Sequence, residues 1–265
     1  MLILNEEKYA KDLYDGKNTD VKSVMAKIRY IARYLVHSVH QTDGNAYATL
    51  VQWLKKHHDN FDESSYSNVI ADAIKGAYKF PFYIIDNIKI TQSELDVISS
   101  LDNLRAEKVL FVLLCMAKQQ SMSNGFINGL VKYSITDLCK MARISVPAED
   151  REYILYEIVK RGLLGYPKKN NTQCLIVNFI NNSSEVVLEL NEVDCQELAY
   201  VYLNWKNNGK GYTRCQRCDR LIKQSKTRPR KYCEDCAKEA ERENTRERVR
   251  RYREKCNDNL TQQND

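Results

Sequence analysis

The sequence predicts a mainly α chain with small β elements, an α+β class dominated by helices. Three observations carry that expectation. Apolar residues recur at three- and four-residue steps through most of the first two hundred positions. Alternating apolar stretches are short and flank turn residues. Near the C-terminus, Cys215-Gln-Arg-Cys218 and Cys233-Glu-Asp-Cys236 form two C-x-x-C pairs, a spacing that supplies four thiolates to one tetrahedral metal ion.

Taken in order, Val21, Val24, Met25, Ile28, Ile31, Leu35, Val36 and Val39 mark an amphipathic helix of about five turns, which Asp20 would cap. A second helix is expected over 45–56, with Ala46, Leu50, Trp53 and Leu54 inward, and a third over 65–78. Pro81 interrupts, and 82–90 reads as a short strand or an irregular segment. Thr91-Gln-Ser-Glu94 is a capping box for a helix carrying Leu95, Val97 and Ile98. Residues 1–100 therefore read as a helical N-terminal domain.

A hydrophobic helix follows over 104–119, then a break at Asn124-Gly125 and a short strand over 129–133. Ser134-Ile-Thr-Asp137 opens a short helix ending near Arg143, again as a capping box. Ala148 to Arg161 forms the next, closed by Gly162 where an αL cap is expected. Strands over 163–166 and 172–179 flank the tip Pro167-Lys-Lys-Asn-Asn171, and 185–190 adds a third. Residues 101–190 thus form a middle domain. A helix over 192–206 and the sequence Asn207-Asn-Gly-Lys-Gly211 read as connector and hinge (191–211). The metal module with its basic helix occupies 212–256, and 257–265 is a polar, disordered tail.

The chain has 265 residues, 43% hydrophobic and 29% charged, with a mean hydropathy of −0.57. Its longest apolar run, Val109 to Ala117, is far short of the roughly 20 residues that span a bilayer. Met1-Leu-Ile-Leu4 leads straight into Asn5-Glu6-Glu7, with no signal-peptide pattern, so a reducing cytoplasm is expected. There the five remaining cysteines, 115, 139, 174, 195 and 256, read as buried thiols and not as a disulfide framework. The net charge of +6 is uneven: 1–211 is neutral, 212–256 carries 16 Lys and Arg against 8 Asp and Glu, and the last nine residues carry −2. That asymmetry places a polyanionic partner at the C-terminal end. The abundance of Asn and Tyr suits an AT-rich bacterial or phage genome.

Helix, short strand, helix, turn, helix and hairpin is the element order of a winged helix, and 104–180 resembles winged helix-turn-helix domains. The resemblance implies a recognition helix beginning at Ala148 and a wing bearing Lys168 and Lys169. Glu149-Asp-Arg-Glu152 at the start of that helix repels phosphates, which favours a protein-interaction role for this domain. Residues 213–255 resemble the treble-clef or zinc-ribbon tails of bacterial and phage proteins, closest over Lys231-Tyr-Cys-Glu-Asp-Cys236. A knuckle, a connecting hairpin and a helix bearing the last two ligands would hold a structural Zn2+, since four sulfurs leave no open coordination position.

Other chemistries find no support in the residues. A redox C-x-x-C belongs beside a βαβ pattern. All four histidines (His37, His40, His57, His58) precede residue 59, so the zinc module lacks the general base of a His-Asn-His nuclease. The His-x-Glu of a zinc deaminase is absent as well. No phosphate-cradling glycine loop, nucleophile elbow or clustered carboxylates appear, so no enzyme is expected. His37 and His40 sit three apart without a fixed acidic or thiol partner and read as ordinary histidines.

What remains is a gripping surface. Arg242, Arg246, Arg250 and Arg253 fall on one stripe of the C-terminal helix, and Lys223, Lys226, Arg228, Arg230 and Lys231 line the loop between the cysteine pairs. Guanidinium forks match phosphate oxygens. The expected function is nucleic-acid binding, DNA foremost, as a regulator or replication accessory. Tyr212, Tyr232 and Tyr252 are placed to stack on bases. The alternative is a protein-interaction adaptor, such as a phage protein engaging a host complex, whose basic helix docks on an acidic partner.

Overall fold

The computed structural model describes residues 2–17, 23–124, 129–168, 174–225 and 227–261, the side chains of 124 and 253–261 excepted. Among the described residues helices dominate, joined by three small sheets of two, three and two strands.

Four helices share the first core: α1 (Glu6–Tyr14), α2 (Val24–His37), α3 (Asp43–His57) and α4 (Glu63–Lys79). Leu13, Ile28, Ile31, Leu35, Leu50, Leu54 and Ile70 are sealed between them. Burying each such side chain contributes about 1.5–3 kcal/mol. Helix α1 was not anticipated. Its sequence is mostly polar, yet Tyr9, Ala10 and Leu13 fall on one face and Asn5 Oδ1 accepts from Lys8 N at 2.9 Å as its cap. Helix α2 starts at Val24 with Ser23 as its cap, and the expected cap Asp20 lies outside the described residues together with Val21.

The second core is larger and begins with Leu2 and Leu4. Strand β1 (Ile88–Thr91) and helix α5 (Gln92–Ser99) belong to it, because Ile88, Ile90, Leu95 and Ile98 are buried there. The expected boundary at residue 100 therefore falls inside this core; the four-helix unit ends near residue 80. At the centre runs α6 (Leu104–Asn124), where every residue from Val109 to Cys115 is buried. A helix apolar on all faces must lie in the middle of its layer.

Around α6 pack β2 (Leu130–Lys132), α7 (Ile135–Met141), α8 (Ala148–Lys160), β3 (Leu164–Gly165) and β4 (Cys174–Val177). The strands form one antiparallel sheet in the order β2-β4-β3. Ser134 precedes α7 as expected but makes no capping hydrogen bond, and Asp137 turns to Lys140 at 3.8 Å. Strand β5 (Val186–Leu190) does not join the hairpin; it pairs antiparallel with β1, Ile88 opposite Leu190.

Gly129 adopts φ +66°, and a Cβ there would lie 2.4 Å from the Val177 carbonyl oxygen. Gly129→Ala is expected to lower stability by more than about 1 kcal/mol, read as a reduced urea midpoint at constant slope.

The helix expected as connector is part of the core, whereas the expected hinge, 207–211, is exposed. After a 3-10 turn at Asp194–Gln196, α9 (Leu198–Lys206) buries Leu198, Val201 and Tyr202 against α6. The Tyr202 hydroxyl donates to buried Glu107 at 2.9 Å, and Lys206 pairs with the same carboxylate. Residues 207–211 form a tight turn, with Asn208, Gly209 and Gly211 at positive φ and Gly209 N bonded to Asn204 O at 2.7 Å. Strands β6 (Tyr212–Arg214) and β7 (Leu221–Lys223) follow, then α10 (Glu234–Thr261). Residues 257–261, expected as tail, continue this helix; 262–265 lie outside the described residues. No helix among the described residues is long and apolar enough to cross a membrane.

Candidate metal centre and basic helix

The first cysteine pair is the tip of the β6–β7 hairpin. Tyr212 faces Lys223 and Arg214 faces Leu221, so the ladder delivers Cys215 and Cys218 to one side. The tip closes through Cys215 N to Arg220 O at 2.9 Å and Asp219 N to Cys215 O at 3.0 Å, with Asp219 at φ 60°, a conformation that Asp tolerates better than most residues. The knuckle thus sits within the hairpin, where the sequence reading had placed the hairpin after it.

Cys233 precedes α10 and Cys236 lies in its first turn. The four Sγ atoms all fall within 4.8 Å of one another, and Cys218 and Cys233 Sγ are 3.6 Å apart. Tetrahedral coordination at about 2.3 Å per sulfur requires spacings of about 3.8 Å. Cys233 N also donates to Cys215 Sγ at 3.3 Å. Burial works to raise the Cys215 pKa, but N–H donation from Cys233, Arg217 and Cys218 outweighs it and holds the thiol down to about 6. Cys236 moves the other way, pushed up by burial and then by the neighbouring sulfurs. Four sulfurs this close do not all ionise without a cation among them. The donor set therefore fits a metal ion held by four sulfurs, in a zinc-ribbon-like module.

The arginines within and flanking the first cysteine pair are engaged within the protein. Arg217 pairs with Glu239 at 3.3 Å and Glu243 at 2.6 Å, and Arg220 with Asp235 at 3.0 Å. These contacts fasten the knuckle to successive turns of one face of α10. Arg214 donates to Asp194 at 3.0 Å, whose carboxylate is buried in the second core. Leu221 enters that core, and Tyr212 packs on Tyr200 with ring centroids 5.6 Å apart. The module is docked, not hung on a hinge. Gln224, which the sequence reading missed, orders the loop before Cys233: its Oε1 accepts from Arg230 N and its Nε2 donates to Arg230 O, both at 2.8 Å.

The remaining candidates are spread along this module. Lys223, Arg228, Arg230 and Lys231 are exposed, as are Arg242, Arg246 and Arg250 on α10. Arg242 and Arg246 make no ion pair among the described residues, whereas Arg251 pairs with Glu247 at 2.5 Å. Over 242–253 the sequence carries six arginines against two acids, Glu243 and Glu247. Tyr252 is 70% exposed and Tyr232 37%, while Tyr212 is half-buried. Lys168 is exposed on the β3 side of its hairpin. Lys169 and Lys226 lie outside the described residues, as does the Arg253 side chain.

Elsewhere the thiols of Cys115, Cys139, Cys174 and Cys195 are buried and unbridged; the Cys256 side chain is outside the described residues. His37 Nε2 contacts Ala77 O at 2.8 Å, and the four cysteines are the one group placed to hold a metal among the described residues. A cationic cluster that the sequence reading did not find lies at the start of α6. Lys108 Nζ donates to Arg143 O at 3.1 Å, with Arg105 and Lys223 near enough for their charges to act on it. The chain matches no protein-family model, no curated protein and no solved structure.

Proposed function

We propose that this is a non-enzymatic nucleic-acid-binding protein, DNA its first partner, in which a structural Zn2+ bound by Cys215, Cys218, Cys233 and Cys236 aims α10 at phosphates. The observation that carries the reading is the division of α10. Its first turns use their acids to grip Arg217 and Arg220, and the following turns present arginines to solvent. Phosphate neutralisation along such a stripe gives affinity with little base readout. Bound zinc supplies shape only, since four sulfurs leave it no site for substrate.

The order α6, β2, α7, α8, β3, β4 with sheet order β2-β4-β3 supports a winged-helix reading of the middle region. The exposed face of α8 carries Glu149, Asp150, Glu152, Tyr153 and Tyr156. That face suits a protein better than a phosphate backbone, and it favours the second reading, an adaptor protein. Both readings take the protein to be bacterial or phage in origin and to work in a cytoplasmic setting.

The test is fluorescence anisotropy of the full chain with duplex DNA, single-stranded DNA and RNA across salt concentrations. A log–log salt slope of roughly −4 to −6 is expected for contact with about five or six phosphates. Arg242→Gln with Arg246→Gln should make it shallower by about two. Absence of binding at low salt would sink the nucleic-acid reading and leave the adaptor.

A further inference from the structure

The junction between α6 and the zinc hairpin gathers positive charge from three separate parts of the chain. Arg105 and Lys108 lie one turn apart on α6. Arg143 follows α7 in a left-handed conformation, φ 48°, and its carbonyl accepts from Lys108 Nζ at 3.1 Å. Lys223 ends β7 and is carried to the junction because Leu221 is anchored in the second core and Arg214 is tied to Asp194.

Only one of the four cations is neutralised. Arg143 pairs with Glu197 at 2.5 Å and lies 4.3 Å from the ring centre of Tyr200. Arg105, Lys108 and Lys223 form no ion pair with an acidic side chain among the described residues. Burial, then the charges of Arg105, Lys223 and Arg143, hold the pKa of Lys108 below the usual lysine range. Folding has brought like charges together on a half-buried ammonium, an arrangement that an anion relieves.

We infer that Arg105, Lys108 and Lys223 form a phosphate-binding site, which takes a backbone phosphate of the nucleic acid proposed for α10. This rests on that function and extends it: the bound strand does not stop at the zinc module but runs onto α6. The hairpin is then a bridge that sets the spacing between two phosphate grips, one on α10 and one on the second core.

Arg105→Gln/Lys223→Gln changes two exposed positions and leaves the core intact, and Lys108→Gln tests the half-buried member separately. Full-length protein and variants are titrated into labelled duplex DNA over a salt series. A slope shallower by about one to two than that of the parent, with the variants melting like the parent, supports the site. A parent that binds DNA and variants with unchanged slope and affinity overturn it while the function stands. A second arm titrates inorganic tripolyphosphate by calorimetry. Heat from the parent that both variants lose, without DNA binding by the parent, supports the junction as a site for a free phosphate and ends the DNA reading. No heat and no DNA binding overturn both.

Discussion

Replacing Cys233 by serine is expected to abolish metal binding and to unlock the C-terminal module while the two cores stay folded. Removing one of four sulfurs opens the coordination shell. A structural zinc site in a small module is worth on the order of 10 kcal/mol or more of apparent binding free energy. The exposed pairs of Arg217 and Arg220 contribute at most about 1 kcal/mol each, so they cannot hold the module alone. Native mass spectrometry should find one metal ion in the parent and none in the variant. Trypsin should then cut at Lys223, which ends β7, and at Arg230 and Lys231 in the loop that Gln224 and the knuckle order; the Arg228–Pro229 bond resists trypsin in any state. A variant that keeps its metal, or that resists trypsin as the parent does, would refute the four-sulfur centre.

Glu94→Ala should produce the largest loss of stability in the second core. Glu94 is fully buried, and its carboxylate meets three partners: Thr91 N and Asn181 N at 2.9 Å each, and Lys118 Nζ at 2.8 Å. Lys118 also donates to Lys89 O and Asn182 Oδ1 and is itself nearly sealed. Removing the carboxylate strands a buried ammonium and two backbone donors, a loss of about 3–5 kcal/mol. Lys118→Met in the same chain should recover part of it, because the uncompensated charge goes with the lysine. Urea midpoints at constant slope measure both. A single variant within about 1 kcal/mol of the parent would mean the network is not the brace it looks to be.

The parts of the molecule that were legible in the sequence are those decided locally. Cysteine spacing named the metal centre because each C-x-x-C pair closes its own knuckle. Thr91 and Glu94 announced their helix because a capping box needs only four residues. The unbroken apolar run of α6 declared its central position. What stayed hidden depends on partners far apart in the chain. Pairing of β1 with β5 joins residues about a hundred positions apart. The hinge at 207–211 looked free because nothing in its glycines and asparagines reveals that Arg214 finds Asp194. The engagement of Arg217 and Arg220 is equally invisible in the sequence, because only α10 brings Asp235, Glu239 and Glu243 back to them. Arg105 and Lys108 drew no notice beside a module more than a hundred residues later.

The grip of Arg217 on Glu239 and Glu243 makes α10 a pointer with its pivot at the cysteines. Twenty-eight residues at about 1.5 Å each reach about 42 Å. A tilt of about 10° at the pivot would sweep the far end through about 7 Å, twice the axial spacing of about 3.4 Å between phosphates on one strand. If the proposed nucleic-acid binding holds, which phosphates the outer arginines meet would be settled by angles at a joint only a few ångströms wide.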